Sequence, residues 1–324
     1  MPDPSGPDLS DLVARARTLD KRAVARLIGI FEDTRPSAVD QRRSVLRELT
    51  DGHTAQASIV GITGTPGSGK SSLVAALVPH LLEADPELTI GVLAVDPSSH
   101  VSRGALLGDR TRVRFAADER RSFFRSQASA TELGGLAPTS YQVSRLMAAL
   151  FDLVIVETVG IGQSELDIRH LADHVYLVLQ PLGGDEIQYL KAGIIEIPDS
   201  FVLNKVDEPA ASSTYHQLKA SLSLARPFED EHPPIFLTSA RTGEGIEALG
   251  ASILEVVGSP DVAGADRRDQ HFFGRWVRDE WGRSGMRFLA ERPGGIDAWL
   301  DASGDYETAQ QRLLDELPTW LART

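Results

Sequence analysis

Cysteine is absent from the 324 residues. With it go disulfides, iron–sulfur clusters, Cys-ligated zinc and any thiol nucleophile. Lysine is scarce, five residues against 28 arginines, a bias that carries no chemistry by itself. Positive charge is in deficit, since 33 Lys plus Arg stand against 46 Asp plus Glu and leave a net charge of −13. That balance argues against nucleic acid or an anionic membrane as a partner, because both select a basic face. No stretch approaches the ~18 uncharged apolar residues of a membrane-spanning helix. The opening MPDPSGPDLSD has neither a basic n-region nor an apolar h-region, so a secretory leader is not expected and the cytoplasm is the expected location. What is present is an ordinary globular composition, 42% hydrophobic and 24% charged. It is enough chain for one large domain or two ordinary ones.

Three segments are expected: 1–56, 57–257 and 258–324. In the first, Leu9, Leu12 and Val13, then Val24, Leu27 and Ile28, then Val45, Leu46 and Leu49 fall at helical spacing, with Pro36 between the last two groups. This predicts a helical cap. In the second, short apolar runs alternate with helical stretches: 58–63, 89–95, 152–156, 174–180, 200–203 and 234–238. Each run is nearly continuous in apolarity, as expected of strands covered on both faces, so an α/β domain with a mostly parallel sheet is predicted. In the third, Phe272, Phe273, Trp276 and Trp281, and later Leu313, Leu317, Trp320 and Leu321, again keep helical spacing. All four tryptophans lie there, which suits either an oligomer contact or burial against the sheet domain.

The strongest motif is Gly64-Thr65-Pro66-Gly67-Ser68-Gly69-Lys70-Ser71, a full G-x-x-x-x-G-K-[ST] phosphate loop between a predicted strand and a helix that runs on from Ser72. Its glycines let successive N–H groups turn inward on a phosphate, and the helix N-terminus adds partial positive charge. Lys70 suits the β- and γ-phosphates, and the Ser71 hydroxyl suits Mg²⁺. Asn204-Lys205-Val206-Asp207 ends a later strand. A carboxylate there can accept the N1–H and exocyclic amine of guanine, a donor pair that adenine lacks, and Ser239-Ala240 fits the companion loop that meets guanine O6. Glu157-Thr158-Val159-Gly160 ends another strand. Glu157 stands where a carboxylate holds Mg²⁺ directly or through water, and Gly160 can sense the γ-phosphate. Asp96 closes a strand end as well, and Asp96, Asp109 and Glu157 are candidates for one Mg²⁺ environment.

Weaker features accompany these motifs. Gln163 is a candidate for orienting water, with a structural hydrogen bond as the alternative. Seven arginines between Arg103 and Arg125 include a candidate phosphate contact, although most are expected to be solvated or paired. His170 and His174 lie four apart without further ligands, so no zinc is expected there.

The ordered set of Gly64–Ser71, LAVDPSS (93–99), LLGDRTR (106–112), ETVGIGQSE (157–165), GGDEIQYLKAG (183–193) and NKVD (204–207) resembles the MeaB/ArgK family, which includes relatives of the human methylmalonic aciduria type A protein. The resemblance implies a P-loop GTPase that binds GTP, GDP and Mg²⁺. It implies that GTP binding and hydrolysis gate cofactor loading and protection of an adenosylcobalamin-dependent acyl-CoA mutase; hydrolysis is expected to be slow without a partner, because no residue of the sequence is a sure water activator. It implies a homodimer built through C-terminal helices, and a partner-responsive switch at 181–191 containing Gly183, Asp185 and Lys191. Departures from the family pattern fall at Ser102–Ala105, Arg110, Ser129–Glu132 and Tyr189, all in switch and partner loops. Three other readings compete: a nickel-insertion metallochaperone GTPase, against which the lack of Cys weighs, a nucleotide-dependent protein or amino-acid kinase, and a nucleotide-binding scaffold without turnover.

Overall fold

The computed structural model describes residues 8–51, 57–96, 119–128, 136–158, 164–181, 198–225, 232–257, 259 and 264–323. By contacts the chain divides into two compact units. One comprises Met1–Gln56, Pro138–Leu150 and Asp261–Thr324, and the other Ala57–Ala137 and Phe151–Pro260. Residues 138–150 were expected within the 57–257 segment but pack with the terminal helices.

The sheet unit carries β1 (Ser58–Gly64), α4 (Lys70–Ala84), β2 (Ile90–Asp96), β3 (Ser122–Ala128), β4 (Leu153–Thr158), α6 (Ser164–Leu171), β5 (His174–Leu179), β6 (Ser200–Leu203), α7 (Ala211–Ala225), β7 (Ile235–Leu237) and α8 (Ile246–Val257). The strands run in the order β3-β2-β4-β1-β5-β6-β7. Every described pairing is parallel. β1 and β4 are buried along their whole length, which explains their unbroken apolar runs. One face packs Val60, Ile62, Val92, Ile155 and Val178 against Leu73, Leu77 and Leu81 of α4 and Leu249 and Ile253 of α8. β3 was not expected as a strand. Its sequence, Ser-Phe-Phe-Arg-Ser-Gln-Ala, is half polar because it lies at the sheet edge, paired to β2 on one side, where full apolarity is not required.

The helical unit holds α1 (Leu9–Arg17), α2 (Lys21–Phe31), α3 (Ala38–Thr50), α5 (Pro138–Ala148), α9 (Gly264–Ala290, kinked at Gly282), α10 (Gly295–Asp301) and α11 (Tyr306–Leu321). Asp20 caps α2 by accepting from Arg22 N and Ala23 N, and Asp305 caps α11 through Thr308 N. Phe272, Phe273, Phe288, Trp299 and Tyr306 of the C-terminal segment are buried inside this unit, whereas Trp276, Trp281 and Trp320 are half-buried. Phe272 stacks on Tyr141 of α5 at 4.4 Å between ring centroids, and Tyr306 meets Tyr141 edge-on. Trp299 is 4% exposed and donates its indole N–H to the Ala309 carbonyl at 3.1 Å. Arg145 pairs with the buried Glu307 and lies over the Tyr306 ring. Burial alone would lower the Arg145 pKa, yet the carboxylates of Glu307 and Asp269 carry it upward. Burial raises Asp269.

Candidate nucleotide-binding site

In a parallel sheet, the carboxyl ends of the strands share one edge, and the loops that follow them converge there. Five strand ends of the sheet unit, those of β1, β2, β4, β6 and β7, bring the predicted residues together at that edge. β1 ends in Gly64, whose φ of +143° and close approach exclude a side chain: a Cβ there would stand 2.0 Å from the Val178 carbonyl oxygen. The chain then turns through Thr65, Pro66, Gly67 and Ser68 to Gly69, at φ +87°, where α4 begins. A Cβ on Gly69 would meet Asn204 Nδ2 at 2.6 Å. Pro66 and Gly67 are exposed while Ser68 is buried, so the loop rises from the sheet and returns to it.

Lys70 is 4% exposed and donates through Nζ to the carbonyls of Gly64 at 2.9 Å and Thr65 at 3.0 Å. The lysine that opens α4 thereby braces the curl of its own loop. Ser71 Oγ donates to Glu157 Oε1 at 2.6 Å, which joins the loop to the end of β4. Ser72, one residue on, is exposed. Beneath this contact, Thr158 Oγ1 donates to Thr63 Oγ1 at 2.9 Å and fastens β4 to β1. Asp96 is the last residue of β2, two beyond Ala94, which stands opposite Glu157 in the register. The sheet therefore brings the Asp96 backbone to the same edge.

The second half of the site follows β6. Asn204 is 1% exposed and donates through Nδ2 to the Ser68 carbonyl at 2.9 Å. Its Oδ1 accepts from Ala240 N at 3.2 Å and Thr238 Oγ1 at 3.3 Å. One amide thus ties the glycine loop to the loop after β7. Lys205 sits at φ +61°, and its Nζ donates to Gln180 Oε1 at 2.6 Å. Asp207 accepts from the Ser239 hydroxyl and pairs with Arg241. The Ser239 hydrogen bond and the Arg241 guanidinium hold its carboxyl below the ordinary carboxylate range, so it is ionised at neutral pH. Ser239 Oγ also accepts from Thr242 N at 3.2 Å, which shapes the turn that presents Ala240.

Asp109, Gly160, Gln163, Gly183, Asp185 and Lys191 lie outside the described residues. Three participants were not anticipated. Arg241 directly follows Ser239-Ala240, so its position was readable. Thr63 and Gln180 had no signal, because a polar residue at a strand end becomes informative only once the neighbouring strands are known.

The donor set fits an anionic, metal-bearing ligand. Thr65 Oγ1 and Ser68 Oγ are buried in the glycine loop without a hydrogen-bond partner, and an orphaned buried hydroxyl is costly unless something completes it. The Ser71 hydroxyl and the Glu157 carboxylate are hard oxygen donors of the kind Mg²⁺ takes. Among the described residues no cluster of three or more His, Asp or Glu side chains is placed to hold a metal ion by protein ligands alone.

A parallel sheet of this strand order, with a glycine-rich loop leading from β1 into its helix, defines the class: a P-loop nucleoside triphosphatase. Residues 24–282 match the model of the methylmalonyl-CoA mutase-associated GTPase MeaB family, and the chain belongs to that family. It is 41% identical over 251 residues to a protein of Pyrococcus abyssi named for GTPase activity, covering 76% of this chain and 75% of that one. It is 36% identical over 226 residues to the mitochondrial methylmalonic aciduria type A homolog of mouse, covering 67% of this chain and 54% of the mouse protein. The solved structure of an LAO/AO transport system kinase shares the fold, with a TM-score of 0.62 over 97% of both chains at 23% identity. The chain is a GTPase, and its ligand is a guanine nucleotide. No described helix is long and apolar enough to cross a membrane.

Proposed function

We propose that this GTPase is a chaperone whose nucleotide state gates cofactor loading and protection of an adenosylcobalamin-dependent acyl-CoA mutase. The observation that carries the nucleotide half is the double tie of Asn204, to the Ser68 carbonyl on one side and to Ala240 on the other. It makes the phosphate loop and the base loop one rigid cradle, so a nucleotide that fits one end is positioned at the other. The mutase half is supported by the family description and by the mouse relative's name.

In this reading Asp207 accepts guanine's N1–H and exocyclic amine, and Ser239 keeps that carboxylate oriented. The Ala240 N–H faces guanine O6. Gly67, Ser68, Gly69 and Lys70 surround the β-phosphate with donors. The Lys70 ammonium exchanges its hold on the Gly64 and Thr65 carbonyls for the β- and γ-phosphate oxygens, and Ser72 extends the donor row at the start of α4. Ser71 and Glu157, together with Asp96 and Asp109, would hold Mg²⁺, which would supply positive charge to offset that of the phosphates. Gly160 senses the γ-phosphate, and Gln163 orients the attacking water. The segment with Gly183, Asp185 and Lys191 answers to the mutase, and the C-terminal helices join two copies.

Calorimetry with GTP, GDP and ATP, each with Mg²⁺, on the wild type and Asp207→Asn tests the base site. A guanine preference that collapses in the variant is expected; equal or tighter ATP binding in the wild type would refute it. The chaperone role is tested by adding the GTPase to an adenosylcobalamin-dependent acyl-CoA mutase. Slower mutase inactivation that depends on GTP supports it, and an unaltered inactivation rate in a mixture shown to form a complex refutes it.

A further inference from the structure

Gln180 immediately follows β5 and is only 7% exposed. Its Oε1 accepts from Lys205 Nζ at 2.6 Å. The same amide lies against the phosphate loop, since a Cβ on Gly67 would stand 3.6 Å from Gln180 Nε2. The lysine stem runs alongside too: its Cε is 3.8 Å from where a Cβ on Gly69 would be. Lys205 also holds a left-handed backbone, which a residue with a β-carbon keeps only when its surroundings demand it.

These contacts have a common consequence. A lysine side chain is four methylenes with many rotamers and a strongly hydrated tip. Fixing the ammonium removes that freedom and stretches the stem between its strand end and the loop. Asn204, one residue earlier, is tied directly to the Ser68 carbonyl. Asn204 is thus tethered to the phosphate loop, and the next residue, Lys205, is held by an amide that lies beside that loop. An amide oxygen orients the ammonium without setting an opposite charge against it.

We propose that Gln180 is a positioning residue for guanine recognition: it holds the Lys205 ammonium so that the lysine stem lies along the face of the base whose edge Asp207 binds. The proposal rests on the reading of residues 204–207 and 239–240 as a guanine site. A bare lysine would have to be ordered at each binding event, and Gln180 removes that cost beforehand.

The test is the GDP dissociation constant with Mg²⁺, measured by calorimetry on folded protein. Gln180→Leu is expected to weaken GDP about tenfold, because it deletes a hydrogen bond to a charged group. Gln180→Glu, which keeps the acceptor, is expected to stay within about threefold of wild type. In a Lys205→Met background, Gln180→Leu is expected to cost less than about twofold, since the pair acts as a unit. If Gln180→Leu does not fold, Gln180→Asn, one methylene too short to reach, takes its place with the same expectation. Affinity within threefold of wild type for Gln180→Leu overturns the proposal. So does a loss that persists undiminished without Lys205, or a loss that Gln180→Glu does not rescue. Asp207→Asn separates the two readings. If guanine preference survives that substitution, the base site itself is misassigned. If it collapses while Gln180→Leu binds normally, only the role of Gln180 falls.

Discussion

The two units use buried polar groups in opposite ways. In the sheet unit, Lys70, Glu157, Asn204, Gln180 and Asp207 gather at one edge, and glycine-loop hydroxyls remain buried without partners. In the helical unit, Arg145, Glu307, Asp269 and Tyr141 close on one another. Guanidinium groups there also lie over rings, Arg292 over Phe288, Arg312 over Trp299 and Arg287 over Trp320. A polar cluster whose donors meet a ligand serves chemistry, whereas one whose donors meet each other sets the geometry of a core. Losses in the first should appear as activity, and losses in the second as stability.

The largest expected effect is on the chemical side. Lys70→Ala should lower GTP hydrolysis by about a thousandfold, the scale of losing a charge that stabilises a transition state. A thermal melt should show that the fold persists; an equal loss of folded protein would erase the contrast between the units. Next, Glu307→Ala leaves the Arg145 guanidinium without its closest partner in a protein interior and should cost about 3 kcal/mol by denaturant unfolding. Guanine affinity should stay unchanged in the protein that remains folded.

A smaller effect concerns acid. Burial, opposed by the Asp199 carboxylate, lowers the pKa of His174 from 6.5, and the ring lies 2.9 Å from the Ser200 hydroxyl. Above 6.5 both the folded and the unfolded histidine are neutral. Below it the unfolded chain takes up a proton that the folded chain resists, so stability falls as pH drops. Thermal melts from pH 8 to pH 5 should show this decline, and His174→Asn should flatten it. A slope unchanged in the variant would assign the decline to other groups. Smallest of all, Asp40→Ala breaks an exposed pair with Arg43 on α3. It should change stability by less than about 0.5 kcal/mol, which sets the surface baseline for the buried pair.

Much of the sheet unit was legible in the amino-acid order. The runs that became β1, β2, β4, β5 and β6 lie inside the sheet, and burial on both faces writes apolarity into consecutive residues; β7, at the opposite edge from β3, is half-buried yet kept the apolar stretch Ile-Phe-Leu. The phosphate loop was legible because its backbone path tolerates few residues: at Gly64 a side chain would enter the Val178 carbonyl. β3 was not, since an edge strand carries Ser122, Arg125 and Gln127 among its phenylalanines. The place of α5 was equally hidden. Its Tyr141 and Arg145 pack with Phe272 and Glu307, more than a hundred residues away in sequence, and helical spacing names a buried face without naming what covers it.

By itself the amino-acid order determined the class of ligand and singled out the stretches proposed to hold it. A glycine loop, a lysine and an Asn-Lys-Val-Asp stretch are short-range patterns, each sufficient for its own local geometry. Tertiary structure alone decided which separate patterns meet. Asn204 reaches Ser68 across 136 positions, Gln180 captures Lys205, and the terminal helices enclose residues 138–150. Such pairings depend on the order in which parallel strands lie side by side and on which helical faces find each other. Those are properties of the packed whole that no local stretch contains.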